Sequence, residues 1–397
     1  MGNKSIKKDL PSQSKKEMNK WLRLGLKMAC LLAIVTAVVA YTDKKEYFVG
    51  DQTNNHSQRK WRSFYKFVDK KKDVDILCLG NSHASAGIEP YVISANNHCY
   101  CFILNTPGSG SVDLYYNLIE VLKYTTPKIL IIESSCIVGH GTLGKEWAKI
   151  QSIESKRGRW NQLTLIPHYL PSDDWMKAAS PTVRNHSFLL KDPDRIAFNK
   201  KYVGKEKNPD RMPLDLGRFS HGNTGLSDSI LHLYDTQGSP YTRKYHVIED
   251  ETKHYIHKIY DLCQEHHIQM LFVTVPMYYR TYEAYDELCQ LEQEFFNELP
   301  NARWLDLQKD YDPSIYTRKA FNNEFGMAQH NTYLGMLINS YYICDYIQKN
   351  YPGVLPDRSN DQRWINDMSQ DNYFKIARRE KDKLAVLSAM INYYMSL

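Results

Sequence analysis

Five short apolar runs constrain this chain more than anything else in it. They fall at 74–79, 99–104, 128–133, 269–275 and 303–306. Lys-Ile-Leu-Ile-Ile-Glu at 128–133 and Gln-Met-Leu-Phe-Val-Thr-Val at 269–275 show the type: apolar residues follow one another instead of alternating with polar ones. A strand with one wet face alternates, so an unbroken run marks a strand covered on both faces, as in a parallel sheet. Stripes of helical period separate the runs: Leu114, Leu118, Val121 and Leu122; Tyr255, Ile259 and Leu262; Leu288, Leu291, Phe295 and Leu299; Leu334, Leu337, Ile338 and Tyr341. This alternation predicts an α/β fold, a doubly wound five-stranded parallel sheet with helices on both faces.

The interval 139–245 breaks the rhythm. It is rich in Pro, Gly, Asp, Lys and Arg and holds no apolar run long enough for a core strand. It reads as an insertion, a lid or docking module, between the two halves of an α/β domain at 73–138 and 246–350. Residues 42–72 are polar, with Trp61, Phe64 and Phe67 at i, i+3 and i+6, and predict a stalk ending in a short amphipathic helix. Residues 351–397 read as a C-terminal helical extension, polar to 372 and then helical over 373–394.

Residues 1–27 hold eight Lys/Arg against Asp9 and Glu17, a surplus of six that equals the net charge of the whole chain. The remainder is formally neutral, which argues against a nucleic-acid partner, since that needs charge on the folded face. Behind the basic tail (1–20), residues 21–41 are apolar enough to cross about 30 Å of hydrocarbon once Arg23 and Lys27 snorkel to the interface. The basic flank predicts a single-pass anchor in the cytoplasmic membrane, N-in, with the main domain extracytoplasmic. A signal peptide cut near Val38-Val39-Ala40 is the rival reading. Of eight cysteines, Cys30 lies in the span; the other seven are an odd number and form no CxxC pair, so no disulfide framework is read.

The first run ends in Leu79-Gly80-Asn81-Ser82-His83. A small polar turn after a buried strand is where such a sheet presents a ligand-binding or nucleophilic group. In a flavodoxin-like order 2-1-3-4-5, it falls beside the switch point. A serine hydroxyl needs a base within about 3 Å to attack, and His330, after the fifth run and before the fourth stripe, returns to the same sheet edge. Ser82 alone reads more readily as a helix N-cap. After the second run comes Asn105-Thr-Pro-Gly108-Ser-Gly110. The N–H of Gly108 or Gly110, with that of Ser82 and the Asn105 side chain, would serve as oxyanion donors; an ordinary Pro-Gly turn is the alternative.

Leu79-Gly80-Asn81-Ser82 and His330-Asn331-Thr332-Tyr333-Leu334-Gly335 together resemble the first and last blocks of the SGNH/GDSL hydrolase superfamily, over roughly 73–138 and 246–350. The nearest flavour is the membrane-anchored branch that includes proteins of D-alanyl-lipoteichoic-acid transfer and polysaccharide O-acetylation. The resemblance implies Ser82 as nucleophile and His330 as base. It implies a serine esterase or acyl (acetyl) transferase acting on O-acyl groups of a cell-envelope glycan, with no metal or organic cofactor. A transferase would draw on a multi-span acyltransferase partner. Three positions depart from the pattern. Asn81 stands where Asp is usual, Met327 stands where an Asp orients the histidine, and Glu133-Ser134-Ser135 replaces the third block's Asn. Glu324 is the nearest carboxylate to fill the orienting role. The second class of reading is a catalytically degenerate SGNH scaffold that binds glycan or the membrane partner.

Other clusters read more plainly. His254, His257, His266 and His267 suit a solvated helix surface better than a zinc site. His83 is expected behind Ser82 and Asp113 as a cap of the helix after Gly110. Tyr278, Tyr279 and Tyr282 belong to a core edge more readily than to a sugar groove.

Overall fold

The computed structural model describes residues 12–50, 56–138, 144–202, 215–218, 225–229, 232, 247–278, 285–309, 312, 314–322, 330–371 and 388. These fall into two compact units, one of residues 1–52 and 173–208, the other of 53–172 and 209–397.

In the first unit, helix α1 (Ser12–Lys44) contains a 27-residue stretch, Met18–Lys44, long and apolar enough to cross a membrane. At 1.5 Å per residue it is about 40 Å long. Its large apolar side chains, Leu22, Leu26, Leu32 and Ile34 among them, are exposed. Part of the interval expected to be an insertion packs on the last turn of this helix and on the residues after it. Thr182 N donates to Asp43 Oδ1 at 2.8 Å, Asn185 Nδ2 to Phe48 O at 2.8 Å, and Asn199 Nδ2 to Tyr47 O at 3.0 Å and Val49 O at 2.8 Å.

The second unit is the α/β domain. Strands β1 (Ile76–Gly80), β2 (Cys101–Asn105), β3 (Ile129–Glu133), β4 (Gln269–Thr274) and β5 (Arg303–Asp306) form one all-parallel sheet in the order 2-1-3-4-5. Each apolar run became a strand, and the three central strands are buried along almost their whole length. Helices α2 (His56–Asp69), α3 (Ser82–Gly87), α4 (Pro90–Asn97), α5 (Ser111–Leu122), α6 (Asp250–Glu265), α7 (Tyr285–Phe296) and α8 (Tyr333–Asn350) cover it. The β1-to-β2 step runs toward one edge and every later step toward the other. Right-handed crossovers therefore place α4 on the face opposite α5 and α6. In keeping with this, α5 packs on α6, and α4 on α8.

Helix α2 is the short amphipathic helix expected at the end of 42–72, but it belongs to the body and not to a stalk. Its Trp61 and Phe64 are fully buried in the main core, with Phe64 edge-on to Phe102 of β2. Residues 146–169 also belong to the body, as helices Glu146–Ser155 and Arg159–Tyr169, and a buried polar network seats them. Lys156 Nζ donates to Asn117 Oδ1 at 2.6 Å and lies 4.2 Å over the Trp61 ring, while Asp113 accepts from Ser152, Tyr169 (3.0 Å) and Asn117 (3.1 Å). Asp113 thus binds across to the insertion, and α5 has no side-chain cap bond at its N-terminus. Residues 351–371 pack on the amino edge of the sheet through a bidentate Arg358–Asp75 pair at 2.7 Å and a bond from Trp364 Nε1 to Cys99 O at 2.8 Å. Of the helix expected over 373–394, only Ser388 is among the described residues, and it is helical. All eight cysteines are free thiols.

Candidate active site

β1 ends at Gly80, where the chain folds back tightly into α3. A Cβ at Gly80 would stand 2.7 Å from Ala84 Cβ and 3.0 Å from Glu133 Cβ, so glycine is what lets this turn close. Asn81 caps α3, its Oδ1 accepting from His83 N at 2.9 Å. Because Asn81 satisfies the cap, the hydroxyl of Ser82, the first helical residue, is free for a different partner. Ser82 is half-buried beside the β1/β3 switch point, and Asn81 and His83 on either side are buried.

The His330 loop is held from both sides. Asn322 N donates to His330 O at 2.8 Å, and Thr332 N to Ala320 O at 2.9 Å. The Thr332 hydroxyl donates to Lys319 O at 2.6 Å, and Asn331 Nδ2 to Pro276 O at 3.1 Å. Thr332 is also the N-cap of α8. Held in this way, His330 Nε2 lies 3.0 Å from Ser82 Oγ. With the proton on Nδ1, Nε2 accepts from the serine hydroxyl, the arrangement a general base requires. The buried His83 ring meets His330 edge-on, with centroids 5.1 Å apart.

Two polar groups stand behind the Ser82 turn. On one side Ser135 Oγ bridges Asn81 Oδ1 (3.2 Å) and the buried Glu133 carboxylate (2.5 Å). On the other, Asn105 Nδ2 donates to Asn81 O at 2.6 Å and to Ser85 Oγ at 3.2 Å, and its Oδ1 accepts from Lys60 Nζ. Both Asn105 amide hydrogens are therefore engaged within the protein, and the side chain acts on the Ser82 turn rather than reaching toward a ligand. Lys60 is fully buried, and burial pulls its ammonium down to about 7.

The turn containing Gly108 and Gly110 lies against the same loop: Ser109 Oγ donates to Gly80 O at 3.4 Å. Gly108 has φ +71°, and Gly110 caps α5 with backbone alone. Glu324 and Met327 lie outside the described residues, as do Tyr279 and Tyr282. Tyr278 packs on Phe321 at 5.6 Å, and His257 faces Glu298 at 3.5 Å.

Sequence reading found Ser82 and His330 but passed over Lys60 and Ser135. The signal for Lys60 was its phase: four residues before Phe64 and seven before Phe67, it sits on the apolar side of α2. No family model matches the chain, and no curated protein aligns with it.

Proposed function

We propose that this protein is an SGNH-like serine esterase or acyltransferase, acting on O-acyl groups of a cell-envelope glycan. One observation carries the reading: the 3.0 Å approach of His330 Nε2 to Ser82 Oγ at the carboxyl edge of a 2-1-3-4-5 sheet. In the proposed reaction His330 takes the Ser82 proton as Oγ attacks the acyl carbonyl. The tetrahedral oxyanion accepts from the Ser82 N–H and from an N–H of the Gly108–Gly110 turn. As the bond from the acyl carbon to the sugar oxygen breaks, His330 gives its proton to that oxygen, which leaves as a hydroxyl, and an acyl-enzyme remains. Water or a second hydroxyl, activated by the same imidazole, resolves it.

The outward orientation rests on the eight Lys/Arg of residues 1–27, which lie on the N-terminal side of the uncharged stretch 28–41 of α1. As a transferase the protein would take its acyl group from a multi-span membrane partner. The test is labelling of the detergent-purified full chain by a fluorophosphonate, with p-nitrophenyl acetate turnover in parallel. Labelling that disappears in Ser82→Ala and falls about 10²–10⁴-fold in His330→Asn is expected. A wild-type chain that neither labels nor turns over is instead a binding scaffold. Release of acetate from an O-acetylated glycan then decides the substrate class.

A further inference from the structure

Lys60 is costly where it stands. Its side chain is fully buried, and among the described residues its ammonium meets no carboxylate and only one hydrogen-bond acceptor, Asn105 Oδ1. An uncompensated buried cation is expensive, and an apolar side chain at this helical position would pack without that penalty.

What the lysine supplies is direction. Charged or neutral, the Lys60 nitrogen carries N–H donors, and it holds the Asn105 amide with Oδ1 toward itself and Nδ2 toward the Asn81 carbonyl at 2.6 Å. That carbonyl belongs to the peptide whose nitrogen is Ser82 N. The peptide is trans, so its N–H points opposite to its C=O and therefore away from Asn105. As the first residue of α3, Ser82 has no acceptor within the helix for that N–H.

We propose that Lys60 is a positioning residue of the Ser82–His330 site, which through Asn105 and the Asn81 carbonyl holds the Ser82 N–H as an oxyanion donor. This rests on the acyl-transfer reading above. Hydrogen bonds in the Lys60–Asn105–Asn81 chain polarise one another, so the Ser82 N–H at its far end is a fixed donor and, when Lys60 is protonated, a stronger one. A reversed Asn105 amide would set two oxygens face to face and release the peptide plane.

The experiment compares wild type, Lys60→Met and Lys60→Gln as full chains in detergent, by fluorophosphonate labelling, p-nitrophenyl acetate kinetics and thermal unfolding. Gln keeps a donor for Asn105 Oδ1, whereas Met does not. Lys60→Met is expected to lower the labelling rate and kcat about 10–100-fold, with KM within about twofold and Tm not reduced; Lys60→Gln should recover part of the loss. Labelling of Lys60→Met at the wild-type rate, or losses in both variants that only follow the folded fraction, overturns the inference while leaving Ser82 and His330 in place. If Lys60→Met does not fold, Lys60→Gln decides alone: partial activity supports the relay, and full wild-type or zero activity at wild-type Tm overturns it. A wild-type chain that does not label removes the acyl-transfer reading and this inference together.

Discussion

Asn339 Nδ2 donates to Asn331 Oδ1 at 3.1 Å, tying the second turn of α8 to the residue beside His330. The same amide reaches Gly87 O at 3.0 Å, at the end of the helix that begins with Ser82. One buried side chain thus touches both of the segments that must meet.

Gly335 lets α8 come this close. A Cβ there would fall 2.8 Å from Asn331 Cβ and would also strike the Ala320 carbonyl, which is backbone and has little room to give. Gly335→Ala is expected to lose about 1–3 kcal/mol, as overpacking does. The displaced loop carries His330, so fluorophosphonate labelling should slow more than the loss of folded protein accounts for. Wild-type labelling in a chain with a lowered Tm would show that the loop moves without the imidazole.

Asn81 and Glu133, two of the positions where the chain differs from the SGNH/GDSL blocks it resembles, adjoin each other. Ser135 Oγ bonds to both, so an Asp at position 81 would place a second carboxylate beside a buried first one. Like charges raise a carboxyl's pKa in the folded state, and the stability such a group contributes is present at low pH and lost as pH rises through the raised value. Asn81→Asp is expected to lower Tm, more so at pH 8 than at pH 5. A variant equally stable at both would mean that the two groups do not interact.

The strands were legible because burial on both faces leaves an unbroken apolar signature, and the strand starts and ends differ from the apolar runs by two residues or fewer. Ser82 and His330 were legible as motifs, but their 3.0 Å meeting was not, because it depends on Thr332, Asn331 and Asn322 folding a loop back onto the sheet. Residues 56–72 misled for a physical reason. Its helical phase was legible from Trp61, Phe64 and Phe67, but the basic residues that dominate the segment hid that this apolar face packs into the core. The insertion misled similarly: Lys156 and Ser152 look like surface residues until Asp113 and Asn117 are seen to receive them.

That reassignment of α2 can be measured. Trp61 is fully buried among Phe64, Tyr65 and the Lys156 ammonium, so Trp61→Ala should remove about 3–5 kcal/mol of stability. A stalk residue would cost almost nothing. Chemical denaturation of the two chains reads the difference directly, and unchanged midpoints would return 56–69 to a linker.

Glu292 on α7 gives the molecule a pH dependence away from the Ser82 turn. It is buried, and burial pushes its carboxyl up to about 8, opposed by the Ser134 hydroxyl and reinforced by the like charges of Asp306 and Glu133. The folded chain therefore keeps a proton that the unfolded chain gives up near 4.5. Between about pH 4.5 and about 8 the folded state binds more protons than the unfolded one. Stability from this group is thus complete below that window and is lost on rising through it, at up to about 1.4 kcal/mol per pH unit. Glu292→Gln keeps the shape without the titration. The wild-type Tm should fall across this window and the variant's should fall less, with the gap widening toward pH 8; parallel curves would show that Glu292 is ionised in the fold.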